Sequence, residues 1–226
     1  MELDEAIRGR RSIRKYEKGA VIPPEDLQAM LEAAIWAPSS TNVQPWRFIV
    51  VTAPELISQM AQAVFDKFQE LSLQAYETGE KRVAAFCRFM RSYGGFFGEA
   101  SAVIIACAVR YDISRFGLDE YMLMAKIKEL GGPSLEAMVI RTVGKSVAMA
   151  VQNLLLKAHQ LGYGTCVMDS PLVIEEDLRQ MLHIPSHYQL VMVIPIGVPA
   201  QKVEPPDRMG VEEVTRYISS KGGENE

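Results

Sequence analysis

Arg10, Arg11, Ser12 and Arg14 put three guanidiniums and a hydroxyl within five residues. Guanidiniums are planar forked donors that match phosphate oxygens well. The cluster follows Leu3, Ala6 and Ile7, which share a helical face that Gly9 can end. Cations at a helix C-terminus also complement the helix dipole. The local pattern therefore fits either a surface charge run or a phosphate-binding set. A second concentration of polar groups is Pro38-Ser39-Ser40-Thr41-Asn42-Val43-Gln44-Pro45, which leads into Trp46-Arg47-Phe48-Ile49-Val50-Val51. Pro, Ser and Asn are ordinary turn formers. Their amide and hydroxyl groups, placed just before an apolar strand, also suit the polar edge of a planar heterocycle.

Other chemical patterns fail on context. Val143-Gly144-Lys145-Ser146 looks like the end of a phosphate loop, but Val139 stands where the first glycine is needed and no strand precedes it. Gly162 and Gly164 lack the third glycine of a dinucleotide fingerprint and end a helix instead of opening one. Gly144 to Ala148 is one residue short of a nucleophile elbow. Pro185 separates His183 from His187, and no HExxH glutamate accompanies them, so no metal site is expected. No side chain stands out as a catalytic acid or base.

The elements that must position these residues are legible. Pro23-Pro24-Glu25-Asp26 opens a helix with Leu27, Met30, Leu31, Ala34 and Ile35 inward. Arg47–Thr52 predicts a strand, and Pro54 to Phe97 a helix-rich stretch. Ala102–Val109 predicts a strand apolar on both faces and hence central. Glu120–Leu130 predicts a helix ending at Gly131-Gly132-Pro133. Arg141–Leu161 predicts a long helix, apolar around much of its circumference and so buried on several sides, within one subunit or between two. Thr165–Met168 and Tyr188–Ile196 predict two further strands, with a short helix over Ile174–Leu182 between them. An extended tail begins at Pro205, and 219–226 reads as disordered. No βαβ rhythm is present, so the fold class is α+β, one sheet with helices packed on it.

At 226 residues, with 48% hydrophobic and 23% charged side chains, the composition is that of a globular chain able to bury a core without staples. This excludes disordered, collagen-like and coiled-coil classes. The net charge of −4 gives no reason to expect nucleic acid. Cys87, Cys107 and Cys166 are far apart, which fits a reducing compartment better than a disulfide framework. The acidic start is unlike a signal peptide, and the longest apolar run, Ala102–Val109, is far short of the ~20 residues a membrane helix needs. A soluble cytoplasmic protein with no membrane partner is expected.

RRSxR near the N-terminus and APSSxNxQPWxFxVV downstream together resemble the FMN-dependent nitroreductase family, whose superfamily includes iodotyrosine deiodinase and a flavin-cleaving enzyme. Gln152 to Gly162 resembles the end of that family's long dimer helix, and Gly164 to Met168 the strand that passes the flavin. Ile196-Gly197-Val198-Pro199 followed by Pro206-Asp207-Arg208 resembles its C-terminal segment, with Asp207 here beside a lone Arg208. The resemblance implies one domain over 1–218, a mainly antiparallel sheet flanked by helices, a homodimer, and 54–100 as a variable cap over the site. It implies that Arg10, Ser12 and Arg208 hold the FMN phosphate with Arg11 assisting. It places Arg14 at the ribityl or N1–O2 edge of the flavin. Pro38, Ser39, Ser40 and Asn42 would come from the partner subunit, and Met168, Asp169 and Ser170 would lie beside N5. The implied activity is ping-pong hydride transfer from NAD(P)H, through FMN, to a small flat acceptor such as a nitroaromatic or quinone. Reductive dehalogenation, flavin fragmentation and non-catalytic flavin binding are the alternatives.

Overall fold

The computed structural model describes residues 1–109, 126–129 and 135–218. A four-stranded antiparallel sheet lies at its centre: β1 (Trp46–Val51), β2 (Ala102–Val109), β3 (Gly164–Thr165) and β4 (Tyr188–Gly197), in the order β1-β2-β4-β3. The helices are α1 (Leu3–Gly9), α2 (Pro24–Ile35), α3 (Pro54–Glu77), α4 (Lys81–Gly94), α5 (Leu135–Gln160), α6 (Glu175–Met181) and α7 (Val211–Val214). This is the α+β architecture expected from the sequence. No helix among the described residues is long and apolar enough to cross a membrane.

β2 explains why the core has two halves. Alternate residues of a strand point to opposite faces. Val103, Ile105 and Cys107 face one side and pack with Ile57, Met60, Val64 and Phe68 of α3. Ala102, Ile104, Ala106 and Ala108 face the other and pack with Met30 and Ala34 of α2 and Val147, Ala150 and Leu154 of α5. Each large aliphatic side chain fully buried this way stabilises the fold by roughly 1.5–3 kcal/mol. The small residues on the second face let the long helix approach the sheet closely.

α5 begins at Leu135, ahead of the expected start at Arg141, and Gly144 does not break it. Val143, Val147, Ala150, Val151, Leu154, Leu155 and Ala158 are buried, while Lys145, Ala148, Met149 and Gln152 remain exposed. Packing within one chain thus accounts for most of its apolar circumference. The Oγ of Ser146 donates to the Thr142 carbonyl at 3.1 Å, so the false phosphate-loop motif is helix interior.

The third strand is shorter than expected. Only Gly164–Thr165 ladders with β4, and Met168 makes a separate bridge to Val193. Cys166 N–H donates to Pro195 O, but Pro195 has no N–H to return, so the ladder cannot run through. The helix expected over Ile174–Leu182 starts one residue later, after a 3₁₀ turn at Ser170–Ile174. The C-terminal segment is extended as expected except for the short α7. The helix expected over Glu120–Leu130 lies outside the described residues apart from 126–129, which are helical. The expected disorder at 219–226 also falls outside them.

Candidate functional site

The segment after α1 runs along the open edge of β3 and β4. Ser12 bridges Thr165 in parallel, Ile13 N–H donates to Thr165 O at 2.9 Å, and Glu17 N–H donates to Val198 O at 2.9 Å. Two glycines permit this approach. A methyl group on Gly164 would lie 2.7 Å from the Ile13 side chain, and one on Gly197 would lie 2.8 Å from the Tyr16 ring. Ile13 and Tyr16 are thereby buried in the core. Extended backbone at Ile13 sends its neighbours Ser12 and Arg14 to the side opposite the Ile13 side chain.

Arg8, Arg10, Arg11 and Arg208 line one cavity of about 360 Å³ together with Ile7, Pro205 and Pro206. No carboxylate lines it, and Asp207 is not part of its wall. Burial lowers the Arg10 pKa, and the charges of Arg11 and Arg208 push the same way, against an opposing contribution from Cys166. An anion placed there would relieve that repulsion. Arg11 spends one terminal nitrogen on the carbonyls of Arg8 and Arg10, but its Nε is buried without a partner. Arg14 Nε is likewise buried without a partner. Buried donors of this kind are normally satisfied. A bound phosphate with a polar ring system beside it supplies the missing acceptors, so the donor set fits a flavin mononucleotide.

Beside the cluster, Cys166 is buried and its thiol is pushed up by desolvation, against the lowering effect of Arg14, the Ser12 hydrogen bond and Arg10. Met168 N–H donates to Val193 O and Val193 N–H donates to Met168 O, both at 2.9 Å, which fixes the backbone leading to Asp169 and Ser170. Arg10, Arg11, Ser12, Arg14, Arg208 and the 168–170 turn therefore gather at the β3 edge of the sheet.

Pro38, Ser39, Ser40 and Asn42 do not join them. Their loop precedes β1, at the other edge of the sheet, and Val109 N–H donates to Pro45 O at 2.8 Å at the far end of β2. Thr165 aligns with Ile196 and Ile196 with Ala102, whereas Trp46 aligns with Ala108. About six residues along the strands and three strand spacings across separate Trp46, at the end of this loop, from Thr165 by roughly 25 Å. The loop is itself strained: Thr41, Asn42 and Gln44 have φ of 48°, 55° and 48°. Left-handed backbone costs Thr and Gln of order 1 kcal/mol each and tends to concentrate at functional sites. Ser39 Oγ accepts the Gln44 N–H at 3.0 Å and holds that shape.

Three neighbours of the cluster are not evident in a reading of short motifs. His159 of α5 sits under Gly9, where an added methyl would lie 2.7 Å from its Nε2, and burial followed by Arg10 and Arg11 lowers its pKa. Tyr93 of α4 lies beneath the Arg14 guanidinium, 5.4 Å from Cζ to the ring centroid. Phe89 stacks on Tyr93. The sequence does hold one signal for these rings: Phe86, Phe89 and Tyr93 fall on one helical face. Among the described residues no three His, Cys, Asp or Glu side chains come together to hold a metal.

The family model of the nitroreductases matches residues 7–198, a span running from the arginine cluster to the end of β4. The chain belongs to the nitroreductase family. It is accordingly an oxidoreductase. It is 29% identical over 213 residues to an NADH dehydrogenase of Thermus thermophilus, covering 92% of each chain. It is 26% identical to a 4-nitrobenzoate reductase of Nocardioides sp., over 86% of this chain and 79% of the other. In structure this family member resembles a BluB-like flavoprotein from Clostridium difficile 630, with a TM-score of 0.79 and 26% identity, covering 97% of this chain and all of that one.

Proposed function

We propose that this chain is an FMN-dependent NAD(P)H oxidoreductase, acting as a homodimer on a small, flat electron acceptor by two successive half-reactions in one cleft. The observation that carries the reading is the carboxylate-free arginine cavity beside two buried, unpartnered guanidinium nitrogens. In this reading Arg10, Ser12 and Arg208 hold the phosphate, Arg11 assists, and Arg14 faces the pyrimidine edge of the ring. Met168, Asp169 and Ser170 line the ring near N5 through a backbone pinned to β4.

When bound, the flavin supplies a ring that accepts a hydride and returns it. Arg14 places a positive charge where the reduced ring carries negative charge, so it favours reduction. For a nitro acceptor the balance is that NAD(P)H and one proton convert the nitro group to nitroso, releasing water and NAD(P)+. No side chain is assigned the proton; solvent reaching the cleft supplies it.

The second subunit enters because Pro38, Ser39, Ser40 and Asn42 stand too far from their own protomer's arginines to share a site with them. An apolar face is available for that contact. Leu3, Ile7, Trp36 and Met149 are all exposed, with Trp36 at 85%. They lie on α1, at the end of α2 and on α5, and Asn153 of α5 ties to Ala33 of α2 at 3.2 Å. A lone chain would leave this face to water.

The same reading takes 1–218 as one FMN-binding domain and 54–100 as its cap. Within that segment α3 is a core helix, while α4 borders the site through Tyr93 and the Ser170–Ile174 turn. Purified protein should be yellow, with the two visible flavin bands, and NADH or NADPH should bleach them anaerobically. A colourless protein that takes up no added FMN would refute the reading. Flavin that binds but is bleached by neither nucleotide would leave a non-catalytic flavin binder.

A further inference from the structure

A cation that works through its charge must be held in place without having that charge cancelled. A carboxylate holds a guanidinium firmly, but the pair carries no net charge. Arg14 has no such partner: it forms no ion pair among the described residues. Two titratable groups feel its charge, Cys166 and Tyr16, and burial pushes both of them up, so both stay neutral at neutral pH. Its guanidinium reaches Ser12 O through Nη1 at 3.4 Å, a long hydrogen bond, and its Nε is buried without a partner.

What holds Arg14 is a ring. Its Cζ lies over Tyr93 of α4, 5.4 Å from the ring centroid. The electron-rich face of an aromatic ring attracts and orients a guanidinium, yet leaves its full charge in place. The ring is itself held. Phe89 stacks on it with centroids 5.2 Å apart at 20°, and Phe96 meets it edge-on at 6.3 Å. The end of α4 beside it is pressed onto α3. A methyl group added to Gly94 would meet Phe68 and Val64 at 3.2 Å, and one added to Gly95 would lie 3.0 Å from Ala61 O. Val64 and Phe68 belong to the buried core. Tyr93 thus ties the guanidinium of the N-terminal segment to the rigid part of the molecule.

We propose that Tyr93 is a positioning residue for the redox chemistry of the site: its ring holds Arg14 at the flavin while leaving the charge of Arg14 free to act there. The inference rests on the flavin reading above and adds to it a means by which α4 takes part in setting the potential. Tyr93 acts through Arg14 and needs no contact of its own with the flavin or the acceptor. Without the ring, the guanidinium is free to take rotamers that carry its charge into solvent, where it is screened. The reduced flavin then loses part of its stabilisation relative to the oxidised form.

The test is a double-mutant cycle on FMN-loaded protein. It compares the parent, Tyr93→Phe, Tyr93→Leu, Arg14→Ala, and Tyr93→Leu combined with Arg14→Ala. Fluorescence titration of each apoprotein with FMN sets the saturating concentration, and anaerobic redox titration at one pH then gives the two-electron potential. Tyr93→Leu should cut the preference for reduced over oxidised flavin about fivefold, a fall of about 20 mV at about 30 mV per tenfold. Tyr93→Phe keeps the ring and should stay at the parent potential. In the Arg14→Ala background, Tyr93→Leu should lower the potential no further. A parent potential in Tyr93→Leu would overturn the proposal. An equal drop in the Arg14→Ala background would also overturn it, because the ring would then act on the flavin directly. So would a Tyr93→Phe potential as low as that of Tyr93→Leu, or a Tyr93→Leu protein unable to hold FMN that Arg14→Ala still holds. Parent protein that holds no flavin would instead refute the underlying reading.

Discussion

Gly164 has no room for a side chain because Ile13 lies against it: an added methyl group would meet three Ile13 side-chain atoms at 2.7–2.8 Å. That contact locks the segment carrying Ser12 and Arg14 to β3. Gly164→Ala should therefore cost about 1–3 kcal/mol of stability and weaken FMN binding through displacement of the segment. Ile13→Ala in the same chain removes two of the three clashing atoms but leaves its Cβ, so it should rescue only in part. Thermal melts and flavin-binding titrations of both variants would check this.

Arg10→Ala and Arg208→Ala should each weaken FMN binding while leaving the apoprotein folded. A hydrogen bond to a charged group contributes about 1.5–3 kcal/mol, which at 1.4 kcal/mol per tenfold is roughly 10- to 150-fold. Fluorescence titration of apoprotein with FMN gives the affinity, and circular dichroism the fold. Unchanged affinity in both variants would move the phosphate site elsewhere.

Arg14→Ala should differ from those two. A charge at the pyrimidine edge interacts more strongly with the anionic reduced flavin than with the neutral oxidised form. Its loss should lower the two-electron potential by a few tens of millivolts, since about 30 mV corresponds to 1.4 kcal/mol. Redox titration of FMN-saturated parent and variant at one pH decides. Weaker binding at an unchanged potential would make Arg14 a phosphate ligand only.

Trp36→Glu places a charge on the exposed apolar face of α2. On the dimer reading, the variant should be monomeric and should lose bound FMN at both sites. Sedimentation velocity with detection in the visible flavin band reads both effects. A monomer that retains FMN with parent affinity would remove the shared site.

Tyr163 donates to Asp26 Oδ2 at 2.6 Å and links the end of α5 to the first turn of α2. Burial, followed by the Asp26 hydrogen bond and charge, pushes its phenol up to about 12. A folded-state pKa above the unfolded value of about 10 means that the stabilisation is complete below that pH and is lost as pH rises through about 12. Ultraviolet titration should show one tyrosine ionising later than its exposed neighbours, and Tyr163→Phe should remove that step. The same variant should cost about 1 kcal/mol at neutral pH.

The amino-acid order alone determined the elements whose signals are local. β2 was legible because eight apolar residues in a row can only be buried on both faces. The arginine cluster was legible because guanidinium spacing is a property of the chain. α2 and α5 were legible from their apolar periodicity, and the family from motifs in a fixed order. What folding decided was adjacency. The ladder of β3 stops early because its partner at 195 is a proline on another strand. Arg14 meets Tyr93 only because α4 folds back along α3 and reaches the edge where the N-terminal segment lies. The loop at 38–45, with residues expected to reach a flavin from the partner subunit, leads into the edge strand opposite β3, a placement that only the strand order decides. Hydrophobic periodicity fixes which face of an element is buried, but not which element covers it, because that choice is made by pairings between residues far apart in the chain.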